Sequence, residues 1–248
     1  MTETAIVMDG VRKAYGPVTA LDGLSLTIEA GELYGLLGPN GAGKTTAMEV
    51  LTGQTQPDAG SAQVVGIDPV AEPTRVRAAV GILPEQEAPP SFLTPREYFD
   101  FVGTVHGIDD EDRVRRVEEW ADRLGVTAHL DTLSTDLSRG QQQKVMIAGA
   151  FLHEPSLVLI DEPLVNLDPF VQERCKRYLQ SYQSAGGTVL LSTHNVAVAR
   201  ELCTRVGIMS KGRLVDEVRP AQLGPDKSLL DAFRDRIQEP DAPAHRHA

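Results

Sequence analysis

The sequence predicts an α/β fold in which a largely parallel sheet is interrupted by a helical segment. Two short apolar runs, residues 32–37 and 157–160, have the composition of parallel strands that are buried on both faces. Strand and helix signals alternate before residue 89 and after residue 136, which is typical of a parallel sheet covered by helices. With 248 residues the chain can bury about three-quarters of its unfolded surface, enough for one large domain or two joined lobes.

A glycine-rich loop follows the first apolar run and matches the pattern G-x-x-x-x-G-K-[ST]. In such a loop the backbone N–H groups surround phosphate, the lysine reaches the β and γ oxygens, and the hydroxyl binds Mg²⁺. We predict a helix over residues 42–51, whose N-terminus also favours an anion. A glycine-rich turn without a ligand is the alternative, but Gly-Lys-Thr between a strand and a helix has few other uses. The loop and the threonine after it comprise Gly38, Pro39, Asn40, Gly41, Ala42, Gly43, Lys44, Thr45 and Thr46.

Two adjacent carboxylates, Asp161 and Glu162, follow the second apolar run. A strand that ends there places Asp161 near the Mg²⁺ ion. Glu162 can accept a proton from the water that attacks the γ-phosphate, or orient that water. Two neighbouring acids can also lie in a solvated turn, but the continuous apolar run directly before them favours the metal and water roles.

Residues 89–136 carry helical signals instead of strand signals. Thr94, Pro95 and Glu97 form a capping-box sequence with proline at the first helical position. The apolar residues of a second helix lie at the spacing of a core-facing side. These residues are Val114, Val117, Ala121 and Leu124. Cys175 and Cys203 are expected on later helices as packing residues, because their spacing suits neither a metal nor a disulfide.

A second motif lies at Leu137-Ser138-Arg139-Gly140-Gln141. Together with the glycine loop and the carboxylate pair, it resembles the nucleotide-binding subunit of an ABC transporter, over nearly the whole chain. In that family this signature sequence closes over ATP held by the phosphate loop of another subunit. The resemblance implies that Ser138 and the Gly140 amide contact a partner's γ-phosphate from a helix that begins near Gln141. It also places Gln141 among the residues that bind the nucleotide. Arg139 stands where a glycine is common, and the isolated motif would be an ordinary helix cap.

The resemblance also implies a fold and a domain plan. The fold is the parallel-sheet core of a P-loop NTPase with an N-terminal antiparallel β portion and an inserted α-helical subdomain. One ABC ATPase domain would span residues 1–237, with residues 1–88 and 137–237 as the nucleotide-binding core lobe. Residues 89–136 would form the helical subdomain. Residues 238–248 are expected to be disordered.

Three further positions fall in the family's order. Tyr15, expected in a loop after a strand over residues 6–11, is similar to the aromatic residue that stacks on adenine, although a tyrosine in a Gly-Pro turn is also ordinary. Residues 166–168 resemble the D-loop at the dimer axis, although Asp168 before a proline is equally a helix cap. His194 resembles the switch histidine, which hydrogen-bonds the γ-phosphate and so responds to intact ATP.

One position departs from the family pattern. The family usually places a glutamine after the proline of this segment, whereas here Glu85 follows Pro84 and Gln86 comes one residue later. Neighbouring side chains of an extended segment point to opposite faces. Either Glu85 takes the metal-side role with a carboxylate, or the loop shifts to bring in Gln86. We expect Glu85 to contact Mg²⁺.

The resemblance implies two protein partners. No stretch approaches the roughly 18 apolar residues of a membrane helix, and the chain begins without a charged-then-apolar signal segment. A cytoplasmic subunit is therefore expected, held at the inner face of the cell membrane by a separately encoded transmembrane permease and paired with a second nucleotide-binding subunit as a homodimer. Phe92 and Leu93 are candidate anchors for the permease, with packing inside the subdomain as the alternative. A net charge of −11 argues against a nucleic-acid partner.

These observations predict an ATPase with ATP and Mg²⁺ as cofactors. Lys44, Glu162 and His194 are the catalytic candidates, and Thr45, Asp161 and Glu85 are the metal candidates. The resemblance implies that ATP-dependent dimerisation powers a transporter through the permease. A soluble ATPase of the same superfamily that drives an assembly process, such as iron–sulfur cluster assembly, is the alternative.

Overall fold

The computed structural model describes residues 3–84, 88–164, 167–223 and 228–238, with side chains described up to residue 235. It contains a six-stranded, mainly parallel sheet and a three-stranded antiparallel sheet near the N-terminus. The predicted α/β fold is therefore confirmed, including the antiparallel N-terminal portion. The tail beyond residue 238 lies outside the described residues, so its predicted disorder stays a prediction.

The helices and strands of the described ranges alternate along most of the chain. The strands are β1 Thr4–Tyr15, β2 Val18–Glu29, β3 Leu33–Leu37, β4 Ala59–Val64, β5 Gly81–Leu83, β6 Leu157–Asp161, β7 Thr188–Thr193, β8 Arg205–Ser210 and β9 Arg213–Val218. The α-helices are α1 Lys44–Leu51, α2 Pro73–Ala79, α3 Pro95–Val105, α4 Asp110–Leu124, α5 Arg139–Phe151, α6 Pro169–Ser184, α7 Val196–Leu202 and α8 Leu229–Gln238. Short 3₁₀ turns lie at Thr127–His129, Ser134–Asp136 and Pro220–Gln222.

The larger sheet has the strand order β5-β6-β7-β3-β8-β9. Its first five strands are parallel, and β9 pairs antiparallel with β8 at one edge. Every residue of β3, β6 and β7 is buried, as expected of central strands covered on both faces. Because parallel strands end at the same edge of a sheet, the residues that follow β3, β6 and β7 are brought together.

Alternate residues of β3 face two different hydrophobic cores, as the two-residue period of a strand requires. Leu33 and Leu37 belong to a core that also contains apolar residues of α3 to α7. Tyr34 and Leu36 belong to a second core, between the two sheets, to which α1 contributes. The six-stranded sheet thus packs against the N-terminal antiparallel sheet on one face and against the helical part of the chain on the other.

The N-terminal hairpin is longer than the sequence predicts. The pairing of β1 with β2 continues to the contact between Tyr15 and Val18. Tyr15 is therefore the last residue of β1, and its expected position in a loop after residues 6–11 is wrong. The physical reason is that cross-strand pairing with β2 extends the strand beyond the point where its own apolar pattern ends.

The helical segment has the predicted caps. The side-chain hydroxyl of Thr94 accepts a hydrogen bond from the Glu97 N–H, and the Glu97 carboxylate accepts one from the Thr94 N–H, so the capping box is formed. Val117, Ala121 and Leu124 of α4 are buried. Val114 is 59% exposed, so its predicted place on the core face is wrong. It lies on the solvent-facing side of α4, whereas Val117, Ala121 and Leu124 face the core.

Two helix starts and one cysteine also differ from the sequence predictions. Helix α1 begins at Lys44 instead of residue 42, and α5 begins at Arg139, two residues before Gln141. Cys203 directly follows α7 in an extended conformation, so its predicted helical position is wrong. Both cysteines are buried, and burial raises the pKa of Cys175 to about 11 and that of Cys203 to about 12. These raised pKa values disfavour the reactive thiolate and suit residues that pack.

Two phenylalanines on α3 test the core of the helical segment. Phe99 is fully buried, whereas Phe101 is 60% exposed. We expect Phe99→Ala to lower the free energy of unfolding by about 3–5 kcal/mol, because it removes apolar contacts and leaves a cavity. The matched control Phe101→Ala should change it by less than about 0.5 kcal/mol. Urea unfolding monitored by circular dichroism measures both, and equal losses would contradict the packing of α3.

Candidate nucleotide-binding site

The glycine loop connects β3 to α1 in the order that the sequence predicts. Gly43 has a φ of 101°, and a Cβ on it would overlap the backbone oxygen of Ala20, so only glycine suits the turn into α1. The Lys44 ammonium donates hydrogen bonds to the backbone oxygens of Gly38 (2.8 Å) and Pro39 (3.2 Å). The lysine therefore folds back across its own loop and is buried there.

Asp161 lies beside the first residues of α1. The Thr45 hydroxyl donates a hydrogen bond to Asp161 Oδ2 (3.0 Å), and the Ser192 hydroxyl donates one to Oδ1 (2.5 Å). The register of β6 with β7 sets Asp161 directly opposite Ser192. Asp161 is 4% exposed, so these two hydroxyls satisfy a carboxylate that has little access to water.

Glu162 follows Asp161 with a left-handed backbone, at a φ of 49°. This conformation costs a side-chain-bearing residue about 1–2 kcal/mol. The Glu162 N–H donates to the Ser192 backbone oxygen (3.1 Å), which holds the turn against β7. The chain therefore turns sharply at the end of β6 and directs the second carboxylate toward the residues that follow β7.

Three donors hold the Glu162 carboxylate. The Thr193 hydroxyl donates to Oε2 at 3.1 Å, and the His194 N–H donates to Oε1 at 2.8 Å. His194 Nδ1 lies 2.5 Å from the same Oε1. Because a carboxylate only accepts hydrogen bonds, Nδ1 carries a hydrogen in this contact. The Glu162 side chain is 8% exposed and that of His194 is 53% exposed, so the pair joins a buried acid to an accessible imidazole.

Ser192 and Thr193 are contact residues to which sequence analysis assigns no role. Their signal in the sequence is weak: two hydroxyl residues that interrupt an apolar strand just before a histidine. Only the pairing of β6 with β7 shows that each hydroxyl meets a carboxylate. The contacts therefore depend on the pairing of two strands that are distant in the chain.

Tyr15 is held near α1. Its hydroxyl donates to the Glu49 carboxylate (3.1 Å), and the residue is 47% exposed. The Lys13 ammonium lies 5.4 Å from the centre of the same ring. The structure thus places an accessible aromatic face beside the helix that follows the glycine loop.

The signature residues begin α5. Ser138 is the N-cap: its side chain accepts from the Gln141 N–H (3.3 Å), and its own N–H donates to Gln141 Oε1 (2.8 Å). Gln141 Nε2 also lies 2.7 Å from His129 Nε2, a contact that joins residues twelve positions apart. Ser138 is exposed, whereas Gly140 and Gln141 are partly buried. The helix cap that the sequence offers as an alternative is therefore formed, and its exposed edge leaves room for a second role.

The D-loop and the glutamine-loop positions are described only in part. Asp168 caps α6 by accepting from the Val171 N–H (3.1 Å), and the Lys144 ammonium lies 3.9 Å from its carboxylate. Asn166 lies outside the described residues. So do Glu85 and Gln86, and the choice between them stays a prediction.

The glycine loop and the buried carboxylate pair, at the common edge of a parallel sheet, define the class of P-loop nucleotide-binding proteins. The family model described as "ABC transporter" matches residues 21–165, more than half of the chain. The chain therefore belongs to the ABC transporter family and carries its ATPase domain.

Curated relatives and solved structures agree with the family. The chain is 35% identical to a Nod factor export ATP-binding protein I of Paraburkholderia xenovorans, over 90% of this chain and 73% of the relative. It is 34% identical to the daunorubicin resistance ATP-binding protein DrrA3 of Streptomyces coeruleorubidus, over 88% and 69%.

Among solved structures, an ATP-binding subunit of an ABC transporter superposes with a TM-score of 0.87 at 26% identity, over 95% of this chain and all of the other. A dimeric ATP-binding cassette in a post-hydrolysis state, with ADP and Pi bound, superposes at 0.80 and 26% identity, over 87% and 98%. ATP binding and ATP hydrolysis are properties of this family.

Replacing Thr193 tests how the Glu162 carboxylate is satisfied. We expect Thr193→Val to lower the free energy of unfolding by about 1–3 kcal/mol, because valine keeps the volume but leaves a buried carboxylate oxygen without its hydroxyl donor. Thr193→Ser keeps the hydroxyl and should lose much less. Chemical unfolding at neutral pH compares the three proteins. Equal stability of the valine and serine variants would mean that the hydroxyl does not support Glu162.

Proposed function

We propose that this chain is the ATP-hydrolysing subunit of a transporter, in which ATP-dependent dimerisation drives a separately encoded membrane permease. The observation that carries the proposal is the buried Glu162 carboxylate, held by Thr193 and His194 directly beside Asp161 and the glycine loop. A buried, oriented carboxylate next to a phosphate-binding loop suits the activation of water.

The same proposal assigns the remaining roles to residues around the glycine loop. Lys44 and the loop N–H groups would hold the β and γ phosphates. The Lys44 ammonium would then exchange its hydrogen bonds with the backbone oxygens of Gly38 and Pro39 for hydrogen bonds with phosphate oxygens. Glu162 would accept a proton from the attacking water, or orient it. His194 would bond the γ-phosphate through its accessible ring. Tyr15 would stack on adenine with its exposed face.

The donor set beside the glycine loop suits Mg²⁺. Thr45 and Asp161 present oxygen atoms, the ligand type that Mg²⁺ prefers, and they lie within hydrogen-bond distance of each other. A bound Mg²⁺ ion neutralises charge on the phosphates. We assign Thr45 and Asp161 to the ion, with Glu85 as a further candidate.

The second subunit would complete the ATP site. Ser138 is exposed at the start of α5, and Gly140 and Gln141 lie beside it. Two dimeric structures of one ATP-binding cassette, with TM-scores of 0.80 and 0.81, support the same arrangement here. In this proposal the signature of one protomer contacts the γ-phosphate held by its partner.

The membrane partner would dock on the helical segment. Among the described residues, no helix is both long and apolar enough to cross a bilayer. Phe92 is 76% exposed, whereas the Leu93 side chain is partly buried and its backbone oxygen accepts from the Ser134 N–H (2.9 Å). We assign Phe92 as a docking anchor and Leu93 as part of the segment that holds it. The position would be the inner face of the cell membrane.

The domain plan and the direction of transport belong to the same proposal. We assign residues 1–88 and 137–237 to the core lobe and residues 89–136 to the helical subdomain. One curated relative is named for Nod factor export and another for daunorubicin resistance, which supports outward transport. The molecule moved would be chosen by the permease.

The Glu162→Gln variant tests the water-activating role. We expect ATP turnover to fall by at least about a hundredfold, since a positioned general base contributes about 10²–10⁴-fold. ATP binding should persist, and the unhydrolysed nucleotide should hold the protein as a dimer. Phosphate release and size-exclusion chromatography with MgATP measure these effects. Glu173→Gln, the same change at an exposed position on α6, is the control. Turnover of Glu162→Gln near the wild-type rate would remove Glu162 from this role.

The Phe92→Ala variant tests the membrane partner. The Glu162→Gln protein with MgATP should recover a multi-span membrane protein from solubilised membranes of its own organism, and adding Phe92→Ala should reduce that recovery several-fold. Phe101→Ala, at another exposed phenylalanine of the helical segment, should leave the recovery unchanged. Recovery of soluble proteins alone, with the ATP-bound dimer intact, would favour an assembly ATPase such as one for iron–sulfur clusters.

A further inference from the structure

The contact between His129 and Gln141 links the helical segment to the signature motif. His129 is the last residue of the 3₁₀ turn Thr127–His129, which packs on α4. Its Nε2 atom lies 2.7 Å from Gln141 Nε2. Both side chains are partly buried, so the contact is shielded from much of the solvent.

The hydrogen-bond partners of Gln141 determine which atom donates. The Ser138 N–H donates to Gln141 Oε1, so this oxygen faces Ser138 and the amide NH₂ faces His129. An amide NH₂ only donates, and therefore His129 Nε2 must accept. The ring is then neutral, with its hydrogen on Nδ1. Protonation would place an N–H against the amide NH₂, and a flip of the amide would place that NH₂ against the Ser138 N–H.

We propose that His129 is a positioning residue for the signature motif, and that its protonation weakens ATP-driven dimerisation. The neutral ring holds the Gln141 amide, the amide completes the capping box, and the capping box orients Ser138 at the exposed edge. The inference rests on the proposed function, because it requires that this edge contact ATP held by a second subunit. It adds a residue outside the signature motif and a pH response that acts through that motif.

The charged groups around His129 leave the amide as its partner. Asp131 follows two residues later, but both of its carboxylate oxygens accept hydrogen bonds from Arg96 of α3 (2.8 and 3.1 Å). Helices α4 and α5 carry further charged residues close in sequence to this contact. They are Glu118, Asp122 and Arg123 of α4, and Arg139 and Lys144 of α5. Asp131 is therefore paired with Arg96, and the contact given for the His129 ring is the one with the Gln141 amide.

The proposed role of His129 concerns the association of two protomers and not the binding of ATP to one protomer. Lys44 and the glycine loop lie before the helical segment in the chain, and their described hydrogen bonds involve neither His129 nor Gln141. A change at His129 should therefore leave ATP binding to one protomer intact and weaken the association of two ATP-loaded protomers. Loss of a hydrogen bond that served only to stabilise the fold would instead lower the free energy of unfolding.

The test uses the Glu162→Gln chain, which is expected to hold MgATP without turnover. Analytical ultracentrifugation measures its dimer dissociation constant with MgATP at about pH 8 and about pH 6, the range over which histidine changes charge. We expect the dimer to be about tenfold weaker at the lower pH. Adding His129→Gln, whose side-chain oxygen accepts at both pH values, should restore tight association at about pH 6. Adding His129→Lys, which only donates, should weaken association at both.

Control measurements separate a role of His129 from other effects. His106→Gln, at another histidine of the helical segment, should keep the parent's pH dependence, and equilibrium dialysis should show ATP binding unaffected by the His129 changes. Retention of the full pH dependence in His129→Gln, or tight association of His129→Lys at both pH values, would overturn the role of His129. Failure of the Glu162→Gln parent to dimerise with MgATP at about pH 8 would instead overturn the proposed function. These two failures are therefore distinguishable.

Discussion

The parallel pairing of β6 with β7 is the interaction on which the rest of the site depends. Its register sets Asp161 opposite Ser192, and the chain continues so that Glu162 meets Thr193 and His194. Because β3 pairs with the other side of β7, the glycine loop ends at the same edge of the sheet. A slip of one residue would separate each carboxylate from its hydroxyl and turn apolar side chains away from their core.

Burial makes these contacts necessary. Asp161 and Glu162 are almost completely enclosed, and a buried carboxylate is unfavourable unless it accepts hydrogen bonds. Hydroxyl, backbone N–H and imidazole groups donate hydrogen bonds to the two acids. The left-handed backbone at Glu162 persists because the surrounding strands hold it there. Glu162, to which we assign activation of the attacking water, is therefore strained in its backbone, buried and fixed in orientation.

The two parts of the proposed ATP site lie at the starts of two helices. Helix α1 begins at the glycine loop, beside the carboxylates, whereas α5 begins at an exposed Ser138. The first helix start can act on nucleotide bound by its own chain. The second is held in place by contacts with the helical segment, through Gln141 and His129. In the proposed dimer, packing within one protomer would therefore orient a surface that contacts ATP bound to its partner.

Local signals were enough to predict the glycine loop, the two buried central strands, the order of Asp161 and Glu162, and the capping box at Thr94. The same signals misplaced Tyr15 and Val114, because the end of a strand and the exposure of a helix turn depend on neighbouring elements. The contacts of Thr193 with Glu162 and of His129 with Gln141 depend on tertiary packing. Those contacts join residues far apart in the chain, and strand register and helix packing, which no local pattern contains, bring them together.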